Sequence, residues 1–283
     1  MYPARRGKDF HEASYLADYF DTIEINTSFY QPMRADLAAQ WIERVAHNPR
    51  FVFTAKLWQK FTHEESTLAE DEKAVREGFD VLRSADRLGA VLLQFPFSFH
   101  HTPENMARLR WLFERFRDYP LVVEVRHSSW SRKDFYDFLH DHQVGFCNID
   151  QPVIGHSVEP GEIVTSKTGY VRFHGRRYDT WFSDDPDTPS HERYNYLYPE
   201  KELEPWAKRI RHVADHTDST FVITNNHFEG KGVVNALQLI HLLTKQKVKI
   251  PETLRHRYPE LESIADEPAQ EPTLFPLPPA STA

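Results

Sequence analysis

A single cysteine, Cys147, leaves this chain no internal disulfide, and its place inside an apolar run reads as a small core residue rather than a nucleophile. Only 10 glycines occur in 283 residues, with no Gly-x-Gly-x-x-Gly and no Walker-type loop, so dinucleotide binding and hydride chemistry are disfavoured. No apolar stretch approaches the ~18 residues of a membrane span and no signal-peptide pattern opens the sequence. A soluble, cytoplasmic protein without membrane contact is the expectation. Basic charge is also short: 34 Lys and Arg against 42 Asp and Glu give a formal charge of -8. Any nucleic-acid contact therefore needs a local basic patch on a repelling background.

What the sequence does have is alternation. Polar groups recur at one parity near the ends of seven short apolar runs: Thr22-Ile23-Glu24-Ile25-Asn26, Phe53-Thr54-Ala55-Lys56, Leu93-Gln94, Val123-Glu124-Val125-Arg126, Cys147-Asn148-Ile149-Asp150, Val171-Arg172-Phe173-His174 and Ile223-Thr224-Asn225-Asn226. Residues two apart share a face of a strand, so each run sets apolar groups on one side and ionisable or amide groups on the other. Strands are predicted over 22–26, 51–56, 89–94, 121–125, 145–149, 169–174 and 219–225. Helical spacing predicts helices over 11–19, 35–46, 69–87, 103–117, 131–142, 200–215 and 231–245. Such alternation describes an α/β fold, a TIM-type β/α barrel, within residues 1–250. Residues 251–283 read as a C-terminal extension, and 265–283, rich in Pro, Ala, Glu and Thr, as disordered. A closed barrel of this type has eight strands, so the first is missing and the start reads as incorrect or truncated.

The motifs Glu24-Ile25-Asn26-Thr27-Ser28-Phe29-Tyr30, Lys56 with Thr62-His63, Leu93-Gln94-Phe95-Pro96, Glu124-Val125-Arg126-His127 through Trp130, Val171-Arg172-Phe173-His174-Gly175 and Asn225-Asn226-His227 resemble, in order, those of the YecE-like family, also known as domain of unknown function 72. The resemblance spans residues 2–245 and implies a β/α barrel. It also implies a first strand with a Gly-Thr-Ser-Gly-Trp-like motif ahead of the Tyr-Pro near which this chain begins. No activity follows from it, so function rests on the site.

If Ile23, Ile25, Val123, Val125, Val171 and Phe173 face the helices, then Glu24, Asn26, Lys56, Gln94, Glu124, Arg126, Asp150, Arg172, His174 and Asn226 face the barrel axis. The later member of each strand lies nearer the carboxyl end, where barrel enzymes bind substrate. Glu24, Glu124 and Asp150 then balance Lys56, Arg126 and Arg172. A structural ion-pair network would account for that balance. Three cations at one concave mouth would equally hold a phosphate or carboxylate, and this is the preferred reading. On it, Glu24, Glu124 and His174 do acid–base chemistry, His174 because its pKa lies near neutrality, while Asn26, Lys56, Gln94, Arg126, Asp150, Arg172 and Asn226 bind substrate.

The leading expectation is a hydrolase acting on a small-molecule or nucleic-acid phosphate. One alternative is a carbohydrate hydrolase using the two glutamates. Another is a non-catalytic nucleic-acid-binding or adaptor module. No metal is assigned; His63, Glu124, Asp150 and His174 are the ligands from which a divalent-ion site could be drawn, but no compact ligand spacing supports one. Phe29, Tyr30, Trp58, Trp130, Tyr178, Trp181, Tyr194, Tyr196 and Tyr198 fall in or near the loops after strands, where they pack the rim or stack on bases or sugars. In the tail, Gln270 to Phe275 resembles the short peptides by which bacterial repair and replication proteins dock on the sliding clamp.

Overall fold

The computed structural model describes residues 1–3, 5–64, 68–181 and 189–266. In chain order its elements are α1 (Glu12–Leu16), β1 (Thr22–Ile25), α2 (Thr27–Tyr30), α3 (Ala35–Arg44), β2 (Val52–Lys56), α4 (Gln59–His63), α5 (Ala69–Ser84), β3 (Leu88–Gln94), α6 (Pro103–Phe116), β4 (Leu121–Glu124), α7 (Lys133–Asp141), β5 (Gly145–Asp150), β6 (Thr168–Phe173), α8 (Glu200–Asp215), β7 (Ser219–Thr224), α9 (Lys231–Thr244) and α10 (Glu252–Arg257). All seven strands stand within about a residue of their expected places. α6 shows how the helices are specified. Thr102 caps it by accepting from Asn105 N at 3.2 Å, Pro103 occupies the first turn, and Leu109, Leu112, Phe113 and Phe116 recur at helical spacing and are buried.

The strands pair in parallel in the order β1-β2-β3-β4-β5-β6-β7, a nearly closed TIM-like barrel flanked by helices. No ladder joins β1 to β7 among the described residues. An apolar cleft of about 330 Å³ opens along that seam, lined by Leu16, Phe20, Ile23, Val222, Leu239 and Leu243 among others. Thr22 Oγ1 on β1 is buried there without a hydrogen-bond partner.

Three short helices were not predicted: α2, α4 and α10. α2 arises from a side chain rather than from periodicity. Ser28 Oγ donates to Ile25 O at 2.8 Å and accepts from Lys56 N at 2.9 Å, so the turn after β1 is pinned to the end of β2. α10 and the residues after it pack Leu254, Tyr258, Leu261 and Ile264 onto Val234 and Leu237 of α9. Ala265 pairs with Val248, so ordered packing runs past residue 250 into the predicted extension. The segment Gln270 to Phe275 lies outside the described residues. Among those residues, no helix is long and apolar enough to cross a membrane.

Candidate functional site

Strand register decides which side chains meet inside the barrel. Glu24 pairs with Thr54, Gln94 with Glu124, Cys147 with Tyr170 and Ile149 with Arg172, and in parallel strands paired residues share a face. Glu24, Thr54, Lys56, Gln94, Glu124, Tyr170, Arg172 and, just beyond β6, His174 therefore converge.

Arg172, fully buried, is the hub. Its Nη2 donates to Glu24 Oε1 at 2.8 Å, and its Nη1 donates to Gln94 Oε1 at 3.0 Å and to Glu124 Oε2. Arg126 donates to Glu124 Oε1 through Nε at 3.1 Å and Nη2 at 2.9 Å. Lys56 Nζ lies 3.6 Å from Glu24 Oε1, and Tyr170 OH donates to Glu24 Oε2 at 2.8 Å while lying 2.9 Å from Thr54 Oγ1. His174 places Nε2 3.4 Å from Glu124 Oε1; Asn225 Nδ2 lies 3.2 Å from its Nδ1, which leaves the imidazole proton to Nε2. Trp181 roofs the centre, 6.0 Å from the Arg126 guanidinium and 6.2 Å from the His174 ring.

Burial pushes both glutamates up, but Arg172 foremost outweighs it and holds each below the usual carboxylate range, Glu124 well below. Burial lowers His174 to about 4, against the pull of a Glu124 whose charge two guanidinium groups already neutralise. This corrects the expected near-neutral imidazole: His174 is neutral at physiological pH, and its Nε2 is buried without a hydrogen-bond partner among the described residues. Burial, then Arg172, lowers Lys56 to about 8, making it the group in the network that titrates nearest neutrality.

The His174 shift makes a prediction with a definite sign. The unfolded imidazole takes up a proton near its ordinary 6.5, whereas the folded one waits until about 4, so stability falls as pH drops from 6.5 towards 4. His174→Gln should flatten that part of the urea-stability profile, removing about 3 kcal/mol of pH dependence. An unchanged slope would contradict a neutral His174.

Two residues leave the expected constellation. Asp150 pairs in register with Phe173, which packs on Trp206, so its side chain faces the helix layer. There it accepts from Trp206 Nε1 at 2.5 Å, Tyr198 OH at 2.6 Å and Arg176 Nε and Nη2 at 2.9 and 2.6 Å. Tyr198 OH also accepts from Gly175 N at 2.9 Å, so this second cluster braces the turn after His174. That turn needs glycine: Gly175 has φ +91° and a Cβ there would lie 2.9 Å from Tyr196 Cβ. Asn226 likewise turns away, donating to Tyr196 O and Asn235 Oδ1, both at 2.8 Å, and Asn225 takes its place beside His174. Asn26 is exposed at the rim, where α2 begins. Of the nine loop aromatics, Phe29, Trp130, Trp181 and Tyr198 are buried, while Tyr30 and Tyr178 are the well-exposed ones. Among the described residues, no three His, Cys, Asp or Glu side chains are grouped as metal ligands; Asp150 and His174 stand on opposite faces of the sheet.

The fold and the pattern match known proteins. A family profile described as Protein of unknown function DUF72 matches residues 1–259. The chain belongs to this family. UPF0759 protein YunF of Bacillus subtilis (strain 168) is 29% identical over 258 residues, covering 86% of this chain and 90% of that protein. The crystal structure of a DUF72 family protein from Enterococcus faecalis V583 superposes with a TM-score of 0.76 at 26% identity, over 84% of this chain and 90% of that one. A second, from Thermotoga maritima MSB8, gives 0.73 at 30% identity, over 84% and 92%.

Within this DUF72 barrel, the departure of Asp150 changes the charge count. Among the described residues, the connected network holds two carboxylates, Glu24 and Glu124, against three cations, Lys56, Arg126 and Arg172, with His174 neutral: one positive charge remains among them. Arg172 is wholly buried, whereas the Lys56 and Arg126 side chains keep 10% and 18% of their surface exposed. The excess charge is thus offered through Lys56 and Arg126. Tyr170, missed in the sequence because a tyrosine mid-strand reads as core, supports Glu24 from below. Tyr170→Phe should lower unfolding free energy by about 1.5–3 kcal/mol, the range for a buried hydrogen bond to a charged group, as read from urea melts. A loss below the error of the melts would remove Tyr170 from the network.

Proposed function

We propose that this protein binds a phosphate-bearing substrate, a small molecule or a nucleic acid, at the carboxyl mouth of the barrel and hydrolyses it there. The observation that carries the reading is the unbalanced positive charge of the buried network among the described residues, presented by Lys56 beside Phe29 and by Arg126 beneath Trp181. A buried charge without a partner is costly, and an anion at the mouth supplies that partner. Arg126 offers a planar fork and Lys56 a point charge, which suits a tetrahedral oxyanion. Arg172, itself bonded to Gln94, positions the carboxylates, the Asn26 rim lies open to the rest of the substrate, and Lys56 is the acid–base group poised near neutrality.

The carbohydrate alternative is disfavoured by the same geometry. Glycoside cleavage by two carboxyl groups needs one of them protonated, and both glutamates are held ionised by Arg172. Thermal-shift profiles against inorganic phosphate, mononucleotides, short DNA and neutral sugars test the reading, since a ligand that binds the native state raises its melting temperature. Stabilisation by phosphorylated ligands alone, with release of a phosphate-containing product, is expected. Stabilisation without turnover selects the binding-module alternative, and a response to neutral sugars overturns the phosphate reading.

A further inference from the structure

Lys56 differs from the two arginines of the network in what holds it. Its Nζ faces Glu24 Oε1 across 3.6 Å, and that oxygen already accepts from Arg172 at 2.8 Å. No hydrogen bond fixes Nζ among the described residues. The Phe29 ring centre lies 5.6 Å from it, and the side chain is nine-tenths buried. The backbone beneath is firmly placed, since Lys56 N donates to Ser28 Oγ and Ser28 Oγ donates to Ile25 O. Among the described residues of the network, the chain thus sets one primary amine at the barrel mouth, largely screened from solvent, aimed by its strand and subject to the charges of two guanidinium groups. A lysine desolvated beside other cations loses its proton readily and becomes a nucleophile. Burial, then Arg172, lowers its pKa to about 8, so free amine is present at neutral pH.

We propose that Lys56 forms an imine with the carbonyl group of a phosphate-bearing aldehyde or ketone bound at the mouth. The proposal rests on the anion-binding half of the function given above and goes beyond it in chemistry. The Nζ lone pair adds to the carbonyl carbon and the C=O π pair moves to oxygen. The two amine protons pass to that oxygen, which leaves as water, so that R–NH2 and O=C become R–N=C and H2O. Glu24 Oε1, ionised and 3.6 Å away, is the acceptor placed to relay a proton from nitrogen, and Arg126 is placed to hold the phosphate. No oxidant, reductant or metal enters the step.

Reductive trapping tests it. The full chain is incubated with glyceraldehyde 3-phosphate and sodium cyanoborohydride, which reduces an imine to a stable secondary amine, and the modified lysines are mapped by peptide mass spectrometry. Glyceraldehyde serves as the unphosphorylated control and inorganic phosphate as competitor. Modification at Lys56 about tenfold faster than at exposed lysines such as Lys133, as a lowered amine pKa implies, is the expected result, with protection by phosphate and loss of that fast-modified site in Lys56→Arg. Labelling at Lys56 no faster than at Lys133 overturns the imine, even where phosphate still raises the melting temperature and the anion site stands. Fast labelling that is equal with glyceraldehyde and indifferent to phosphate overturns the phosphate-bearing substrate class while the nucleophile stands. The mapping is made on the wild-type protein, so it does not depend on a variant folding.

Discussion

Replacing Arg172 by Met should lower the unfolding free energy by about 3–5 kcal/mol, because it takes from two buried carboxylates at once the guanidinium they share. Glu24 and Glu124 have side chains 3% and 0% exposed and share this one guanidinium, so neither can turn to solvent when it is removed. Lys56, at 3.6 Å from Glu24, and Arg126, bonded to the other oxygen of Glu124, cannot reach the vacated position without leaving the mouth. The loss should shrink at low pH, where protonation of the glutamates relieves the cost of burying carboxylates short of donors. Urea melts of Arg172→Met at neutral and low pH, at unchanged m-value, measure both effects. A loss under about 1 kcal/mol for Arg172→Met would place the pair in the class of exposed ion pairs and contradict the buried hub.

Lys56→Met should do the opposite. Its alkyl stem is retained, the surplus positive charge of the described network is removed, and the protein should become more stable by about 1–3 kcal/mol near neutral pH, as a lowered lysine pKa implies. The sign follows from the direction of the shift. A folded-state pKa of about 8 against an ordinary 10.5 means that the folded protein disfavours the ammonium below pH 8. That penalty is relieved as pH rises from 8 to 10.5, where the unfolded chain holds more protons. The difference between wild type and Lys56→Met should therefore narrow across the same window. At the same time the variant should lose stabilisation by phosphate. A more stable protein that no longer answers the anion distinguishes a charge kept for binding from one kept for the fold, since a structural Lys56 would leave the variant weaker.

The same barrel shows where a sequence is legible and where it stops being so. The strands were readable because one face of each must be apolar and the alternation has a fixed period of two. Glu24, Lys56, Gln94, Glu124, Arg126, Arg172 and His174 were readable as a group for that reason, and they do converge. β5 was not: Gly145-Phe146-Cys147-Asn148-Ile149-Asp150 carries apolar groups on both faces, so parity alone could not orient it. The decision was made by Trp206, Tyr198 and Arg176, a helix and a turn away, which supply Asp150 with four hydrogen bonds outside the barrel. β7 turned the same way, with Ile223 in register with Arg172 and Asn225 continuing that face, leaving Asn226 to brace Tyr196 and Asn235. Ionisation was the other limit. Burial moved His174 out of the neutral range and Lys56 towards it, and burial depends on neighbours that no local pattern names.

Calorimetric titration of the wild-type chain with inorganic phosphate at low ionic strength tests the surplus charge at the mouth most directly. Saturable one-to-one binding that weakens sharply in Lys56→Met and in Arg126→Met is the predicted result. No binding heat and no rise in melting temperature at millimolar phosphate, or equal affinity in both variants, would return the charged centre to a purely structural role.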